Sequence, residues 1–207
     1  MYVVVIENCA PQEVPLGCNE ADGEFLRRHT GGHVENLKQT VRSIPGWPIE
    51  GVIFKDITTL MMDPQALIES CDILYERYRD KQIEKIVGID ARGFIFGAVL
   101  AYKLGVGFIP VRKKGKLPAE TIEESYNLEY GSGTLEIHKD AISHGEKVVI
   151  VDDLIATGGT AGATVNLVRK LGGTIIECAF LIELPDLRGR EQIQNCEIYA
   201  MMKFEGD

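Results

Sequence analysis

Between Val148 and Gly162 the chain reads VVIVDDLIATGGTAG, and few folds accommodate such a stretch. Its first four residues are β-branched and apolar, which leaves no polar face for solvent and describes a strand buried on both sides. A glycine-rich turn then feeds a helical pattern that runs from Gly162 to Leu171. The theme recurs. Ile83 to Ile89, Phe108 to Val111 and Ile175 to Leu184 are further apolar runs, and a second helical pattern, Phe94 to Leu104, follows the first of them through another glycine-containing turn. Crossover units of this kind predict an α/β fold with a mainly parallel, twisted sheet flanked by helices on both faces. In such sheets ligands bind beyond the carboxyl ends of the strands.

The 207 residues suit a single domain, long enough to bury roughly 70% of the surface of the unfolded chain. A net charge of -9 argues against nucleic acid as a partner, because backbone phosphates require a broad basic face. Five cysteines, Cys9, Cys18, Cys71, Cys178 and Cys196, are odd in number and carry no CxxC pair, so a reducing cytoplasm is expected. The opening MYVVVIENC has no basic flank and its apolar run is short, which predicts neither export nor a membrane anchor. Residues 1–32 read as an N-terminal extension and residues 33–207 as the domain. Val34, Leu37, Val41 and Ile44 predict a helix that stops at Pro45 and Gly46, and Asp63 followed by Pro64 predicts a second that buries Leu67, Cys71, Leu74 and Tyr78. The polar stretch from Arg112 to Gly133 is too long for a simple connection and is expected to be a mobile lid or a hairpin.

The chemistry sits in the opening stretch. Carboxylates at Asp152 and Asp153, where the strand leaves the sheet, can accept hydrogen bonds from a vicinal diol. Ala156, Thr157, Gly158, Gly159 and Thr160 form a turn whose N–H groups and hydroxyls can surround a phosphate at a helix N-terminus. Two carboxylates would repel a ligand that was phosphate throughout, so a phosphate attached to a sugar diol fits best, and ribose 5-phosphate answers that description. No Gly-Lys-Ser/Thr follows the turn and no GxGxxG is present, which sets aside a Walker A loop and a dinucleotide site. His29, His33, His138 and His144 show no ligand spacing.

This stretch resembles the motif by which type I phosphoribosyltransferases bind 5-phosphoribosyl-1-pyrophosphate (PRPP). The resemblance implies their fold, with a hood over the site, and assigns the ribose hydroxyls to Asp152 and Asp153 and the 5-phosphate to the turn. A second anionic end then needs basic groups. Arg92 sits in a turn before a helix, where a guanidinium can bind two oxygens of pyrophosphate, and Arg112, Lys113, Lys114 and Lys116 form a basic cluster in an acidic chain. As a lone charge run that cluster would be ordinary solvated surface. Magnesium is expected as cofactor, held mainly by PRPP without a direct protein ligand.

The base is indicated by a wider likeness. GVIFKDIT from Gly51, GIDARGFIFG from Gly88, RKKGKLP from Arg112, SYNLEYG from Ser125 and ELPDLRGRE from Glu183 resemble signatures of the adenine phosphoribosyltransferases. Lys55 and Asp90 stand where members often carry Arg and Glu, and both keep the charge. The resemblance implies that adenine and PRPP give AMP and pyrophosphate. The backbone of Ile53, Phe54 and Lys55 would read the base edge, with Phe54 and Leu184 against its ring. Glu129 would be the acid at adenine N7, and Tyr130 would help close the lid. A homodimer is also implied. Two other readings share the PRPP loop: a phosphoribosyltransferase for 6-oxopurines, and a regulator of the same fold that senses PRPP or a nucleotide without catalysis.

Overall fold

The computed structural model describes residues 33–128 and 131–206, so the extension over 1–32, Glu129 and Tyr130 lie outside the described residues. The described chain runs α1 (His33–Thr40), β1 (Arg42–Pro45), β2 (Ile53–Asp56), α2 (Thr58–Met62), α3 (Pro64–Tyr78), β3 (Lys85–Ile89), α4 (Gly93–Leu104) and β4 (Gly107–Lys113). It continues with β5 (Thr121–Leu128), β6 (Gly131–His138), β7 (Lys147–Ile155), α5 (Gly159–Lys170), β8 (Thr174–Glu183), two short 3-10 turns and β9 (Ile198–Lys203). Seven strands form one sheet in the order β5-β6-β4-β3-β7-β8-β9. From β4 to β9 every pairing is parallel. The β5–β6 hairpin adds to the edge of β4 in antiparallel sense.

The expected burial on both faces is visible strand by strand. On β7, Val149 and Val151 pack into one core with Leu60, Leu74, Tyr78, Phe96 and Leu100 from α2, α3 and α4. Val148 and Ile150, pointing the other way, join Val165, Leu167 and Val168 of α5 in a second core. Side chains alternate along a strand, so an uninterrupted apolar run is what two covered faces require.

Local chemistry sets the boundaries. Asp63 caps α3 as predicted, its Oδ1 accepting from Gln65 N at 2.8 Å and Ala66 N at 3.2 Å, with Pro64 in the first turn. Cys71, Leu74 and Tyr78 are buried as expected, while Leu67 is half-buried. The first predicted helix is corrected. It ends at Thr40, and Arg42–Pro45 instead pairs with Ile53–Asp56 as a two-stranded ribbon. Pro45 bars Ile44 from helical geometry, and the Thr40 hydroxyl donates to Leu37 O at 2.8 Å as the helix closes. The polar stretch before Gly133 proves to be largely the β5–β6 hairpin, and β9 is a parallel edge strand with no counterpart among the predicted runs. Among the described residues no helix is long and apolar enough to cross a membrane.

Candidate active site

β3 and β7 are neighbours in mid-sheet, and beyond their carboxyl ends opens a cavity of about 490 Å³. Four groups of residues line it: Ile89 to Arg92 after β3, Lys113 at the end of β4, Asp152 to Leu154 on β7, and residues 156–160. Arg92, Lys113, Asp152, Asp153 and all five residues of the predicted phosphate turn thus meet around one space, although 61 positions separate Arg92 from Asp153.

Two details of the predicted motif are corrected. β7 continues to Ile155, so the aspartates lie within the strand, where Asp152 pairs with Phe180 of β8. Helix α5 begins at Gly159, which places Gly159 and Thr160 in its first turn and aims their free N–H groups toward the cavity end. Gly158 makes this junction with φ of 80°, a left-handed conformation natural to glycine. Gly93 has a different reason. A Cβ there would stand 2.6 Å from Val151 O and 2.9 Å from Asp152 Oδ1, so only glycine lets α4 start against β7 with Arg92 beside the aspartates.

The two carboxylates differ. Burial, with the adjacent Asp153 charge, pushes the Asp152 carboxyl well above its ordinary value. Its Oδ1 accepts from Asp153 N at 2.9 Å. Asp153 is paired with Arg92, whose Nε donates to Asp153 Oδ2. The guanidinium expected to hold pyrophosphate therefore also neutralises a carboxylate expected to hold ribose.

Other predicted residues lie outside the cavity lining. Arg112 is half-buried and braces its surroundings, its Nε donating to Asp90 Oδ2 at 2.9 Å and its Nη1 to Lys116 O at 3.1 Å. Lys116 is exposed on the loop after β4. Ile53, Phe54 and Lys55 belong to the separate β1–β2 ribbon. The Phe54 ring meets Trp47 edge-on at 4.4 Å, and Lys55 Nζ donates to Ser43 Oγ at 3.0 Å and lies 4.7 Å from the centre of the Phe204 ring. Leu184 donates its N–H to Ile155 O at 3.0 Å, which ties the start of its loop to the end of β7.

Several contributors have no plain sequence signal. Asp90 and Ala91 line the cavity, and Asp90 is noticed in the sequence only as a variation within a motif. The loop after Leu184 presses on the phosphate turn, since a Cβ on Gly189 would stand 2.3 Å from Ala156 O. The ELPDLRGRE signature contains this loop, but nothing in its composition announces the contact. The hairpin is anchored over α5, with Asn166 Nδ2 at 2.9 Å from Glu124 Oε1 and Lys170 Nζ at 2.6 Å from Glu124 Oε2. Among the described residues no group of three or more His, Cys, Asp or Glu side chains could hold a metal ion.

Comparison with known proteins agrees with this geometry. The adenine phosphoribosyltransferase of Desulfosudis oleivorans is 63% identical over 172 residues, which cover 83% of this chain and 99% of that protein. The crystal structure of the Rhodothermus marinus adenine phosphoribosyltransferase is 47% identical and superposes with a TM-score of 0.80 over 84% of this chain and 100% of that one. The Saccharomyces cerevisiae enzyme, complexed with D-2,5-dideoxy-2,5-imino-altritol 1,6-bisphosphate and adenine, is 41% identical with a TM-score of 0.78, covering 84% of this chain and 100% of its own. Residues 57–202 match the family described as the phosphoribosyl transferase domain, a span from the end of β2 into β9 that contains the whole cavity, and the chain belongs to that family.

Proposed function

We propose that this chain is an adenine phosphoribosyltransferase, which joins adenine to PRPP and releases AMP and pyrophosphate. The observation that carries the reading is the convergence, on one cavity, of a carboxylate pair, a phosphate turn at a helix start, and the cations Arg92 and Lys113. Each end of PRPP finds its chemical complement there. N–H groups and hydroxyls of residues 156–160 take the 5-phosphate, Asp152 and Asp153 accept from the ribose hydroxyls, and Arg92 with Lys113 meets the pyrophosphate. High identity to adenine phosphoribosyltransferases over almost their full length supports adenine as the base.

In the reaction the bond from C1 of the ribose to the pyrophosphate oxygen breaks as N9 of the base bonds to C1, and the ring proton that neutral adenine gives up is taken by the released pyrophosphate. Charge leaves on the pyrophosphate, and fixed cations lower the barrier most when they already stand where it develops. Ile53 to Lys55 would offer adenine a backbone donor and acceptor that a 6-oxopurine mismatches, leaving polar groups unpaired. Glu129 is assigned the proton at adenine N7 and Tyr130 a part in closing the site. Magnesium would enter on the oxygens of PRPP and neutralise leaving-group charge. By that reading the protein would meet it through its bound waters, which carboxylates such as Asp153 can accept from.

A homodimer is part of the proposal. Ile95, Val99 and Tyr102 form an apolar stripe on α4, with Tyr102 86% exposed, and Met62 and Ile68 are exposed as well. A stripe of that kind favours a partner surface over water. Free thiols at Cys71, Cys178 and Cys196 support a reducing cytoplasm as the compartment. The test is a panel of adenine, hypoxanthine, guanine and xanthine with PRPP and magnesium, followed by chromatography of nucleotide and pyrophosphate, with mass by light scattering. AMP from adenine alone is expected. A preference for hypoxanthine, guanine or xanthine would replace the base assignment, and PRPP binding without product would replace catalysis by sensing.

A further inference from the structure

Glu136 lies in mid-β6, opposite Arg112 of β4 on one side and Glu123 of β5 on the other. Its side chain is buried, an uncommon fate for a carboxylate without a dedicated partner. The partners are backbone groups. Glu136 Oε1 accepts from Lys116 N at 2.8 Å and from Leu117 N at 2.7 Å. Burial works against its charge, yet the N–H groups of Leu117, Gly115 and Lys116, with the Thr121 hydroxyl, hold its carboxyl below the ordinary range. Consecutive N–H groups converging in this way make a nest that ordinarily takes an external anion. Here the chain supplies the anion itself.

The loop folded over that carboxylate is the basic one. It carries Lys113, which lines the cavity, and exposed Lys114 and Lys116, and the carbonyl of Lys116 accepts from Arg112. Gly115 turns at φ of 79°, and Lys116 N also approaches Lys113 O at 3.2 Å. Arg112 is paired with Asp90 and Lys114 with Glu123, so the charges of Lys113 and Lys116, together with N–H groups directed inward, are what need an anion beneath the loop. Glu136 answers both requirements from beneath the loop while none of the lysine ammonium groups is consumed by it.

We propose that Glu136 is a positioning residue for the pyrophosphate subsite: it closes the loop from Lys113 to Leu117 around an internal anion and so presents Lys113 to the leaving group. The inference rests on the reading of the cavity as a PRPP site. Glu136 itself does not touch substrate, and its effect is confined to the pyrophosphate end.

The test uses the full-length protein with Glu136→Gln and, independently, Gly115→Val. The first keeps the shape and removes the charge. The second leaves the buried carboxylate alone: a Cβ at Gly115 meets nothing within 4 Å, but its left-handed backbone resists a β-branched residue and the loop must rearrange. Pyrophosphate inhibition, KM for PRPP, KM for adenine and the affinity for AMP are measured for each. Loss of preorganisation should weaken pyrophosphate and PRPP about tenfold in both variants while AMP, which lacks the pyrophosphate end, binds within about twofold of wild type. Equal weakening of AMP and pyrophosphate, or no change in either, would overturn the role. Should Glu136→Gln fail to fold, the Gly115→Val values decide alone. Pyrophosphate binding by the wild-type protein is measured first: its absence would sink the functional reading and the inference with it, whereas its presence with unmoved variants would sink the inference only.

Discussion

Gly158→Ala should separate the stability of this fold from the placement of its phosphate turn. The new methyl carbon would stand 2.2 Å from Gly189 O, 2.9 Å from Gly189 C and 3.0 Å from Gly189 Cα, all backbone atoms that cannot swing aside. Relief to an ordinary contact requires the two loops to part by about 1 Å. The left-handed conformation adds about 1 kcal/mol for alanine over glycine. Residues 156–160 carry the N–H groups assigned to the 5-phosphate, and a displacement of about 1 Å at such groups lowers reactivity on the order of 100-fold. Gly105→Ala is the control, because Gly105 has φ of 68° at the end of α4 but open space around its Cβ. It should carry the conformational penalty alone, a fall in Tm of about 2–4 °C, with kinetics unchanged. Steady-state kinetics with PRPP as the varied substrate, beside thermal unfolding, reads both quantities. A Gly158→Ala enzyme whose kcat/KM for PRPP matches that of Gly105→Ala would refute the reasoning, for the turn would then tolerate displacement.

Three further outcomes are expected. Asp152 has a folded-state pKa raised above the ordinary 3.8, so its contribution to stability is complete in acid and is lost as pH rises through the folded value; Asp152→Asn should therefore raise Tm at neutral pH, by less in acid, while weakening PRPP binding. Thermal unfolding from acid to neutral pH checks this, and a lower Tm at neutral pH would contradict it. Buried Glu177 accepts from Arg77 Nε and Nη2, each at 2.6 Å, and from the Tyr78 hydroxyl. Burial disfavours its charge but these partners prevail, so its stabilisation exists above the ordinary 4.5 and disappears as pH falls through the lowered value. Glu177→Ala should cost about 3 kcal/mol in denaturant unfolding and abolish that part of the acid dependence. Glu129→Gln should bind PRPP normally and turn over roughly 100-fold more slowly, as rapid-quench kinetics would show, and near-normal turnover would remove Glu129 from acid catalysis.

What could be read from the chain follows from which interactions are local. Val148 to Val151 disclose a doubly covered strand because every residue in the run must find apolar company, whichever face it joins. Asp63 and Pro64 disclose a helix start because the cap reaches only two and three residues ahead. The misreading at Arg42–Pro45 has a local cause too: Val41 and Ile44 keep helical spacing, but the pairing with Ile53–Asp56 that claims this segment is formed across a loop. The cavity was half legible. Its acidic pair and phosphate turn are contiguous, whereas the contact of Arg92 with Asp153 spans 61 positions and the closure of Gly189 on Ala156 depends on a loop from another strand. Glu136 was wholly hidden, since in TLEIH it occupies a polar slot of an alternating strand and is buried only by the loop that folds over it.

The Arg92–Asp153 ion pair gives ligand binding at this site the character of an exchange. If the site binds PRPP as proposed, ribose 5-phosphate would claim Asp153 at the expense of Arg92's counter-charge, and free pyrophosphate would do the converse. Each fragment loses part of its binding energy to separating opposite charges in a partly buried place. A whole PRPP molecule replaces both partners at once, so its affinity should exceed what its fragments forecast, a synergy written into one salt bridge. The same pair acts in reverse after the chemical step. On the proposed reading, once pyrophosphate has gone Arg92 would compete with the ribose for Asp153, and the returning guanidinium would help to expel the nucleotide.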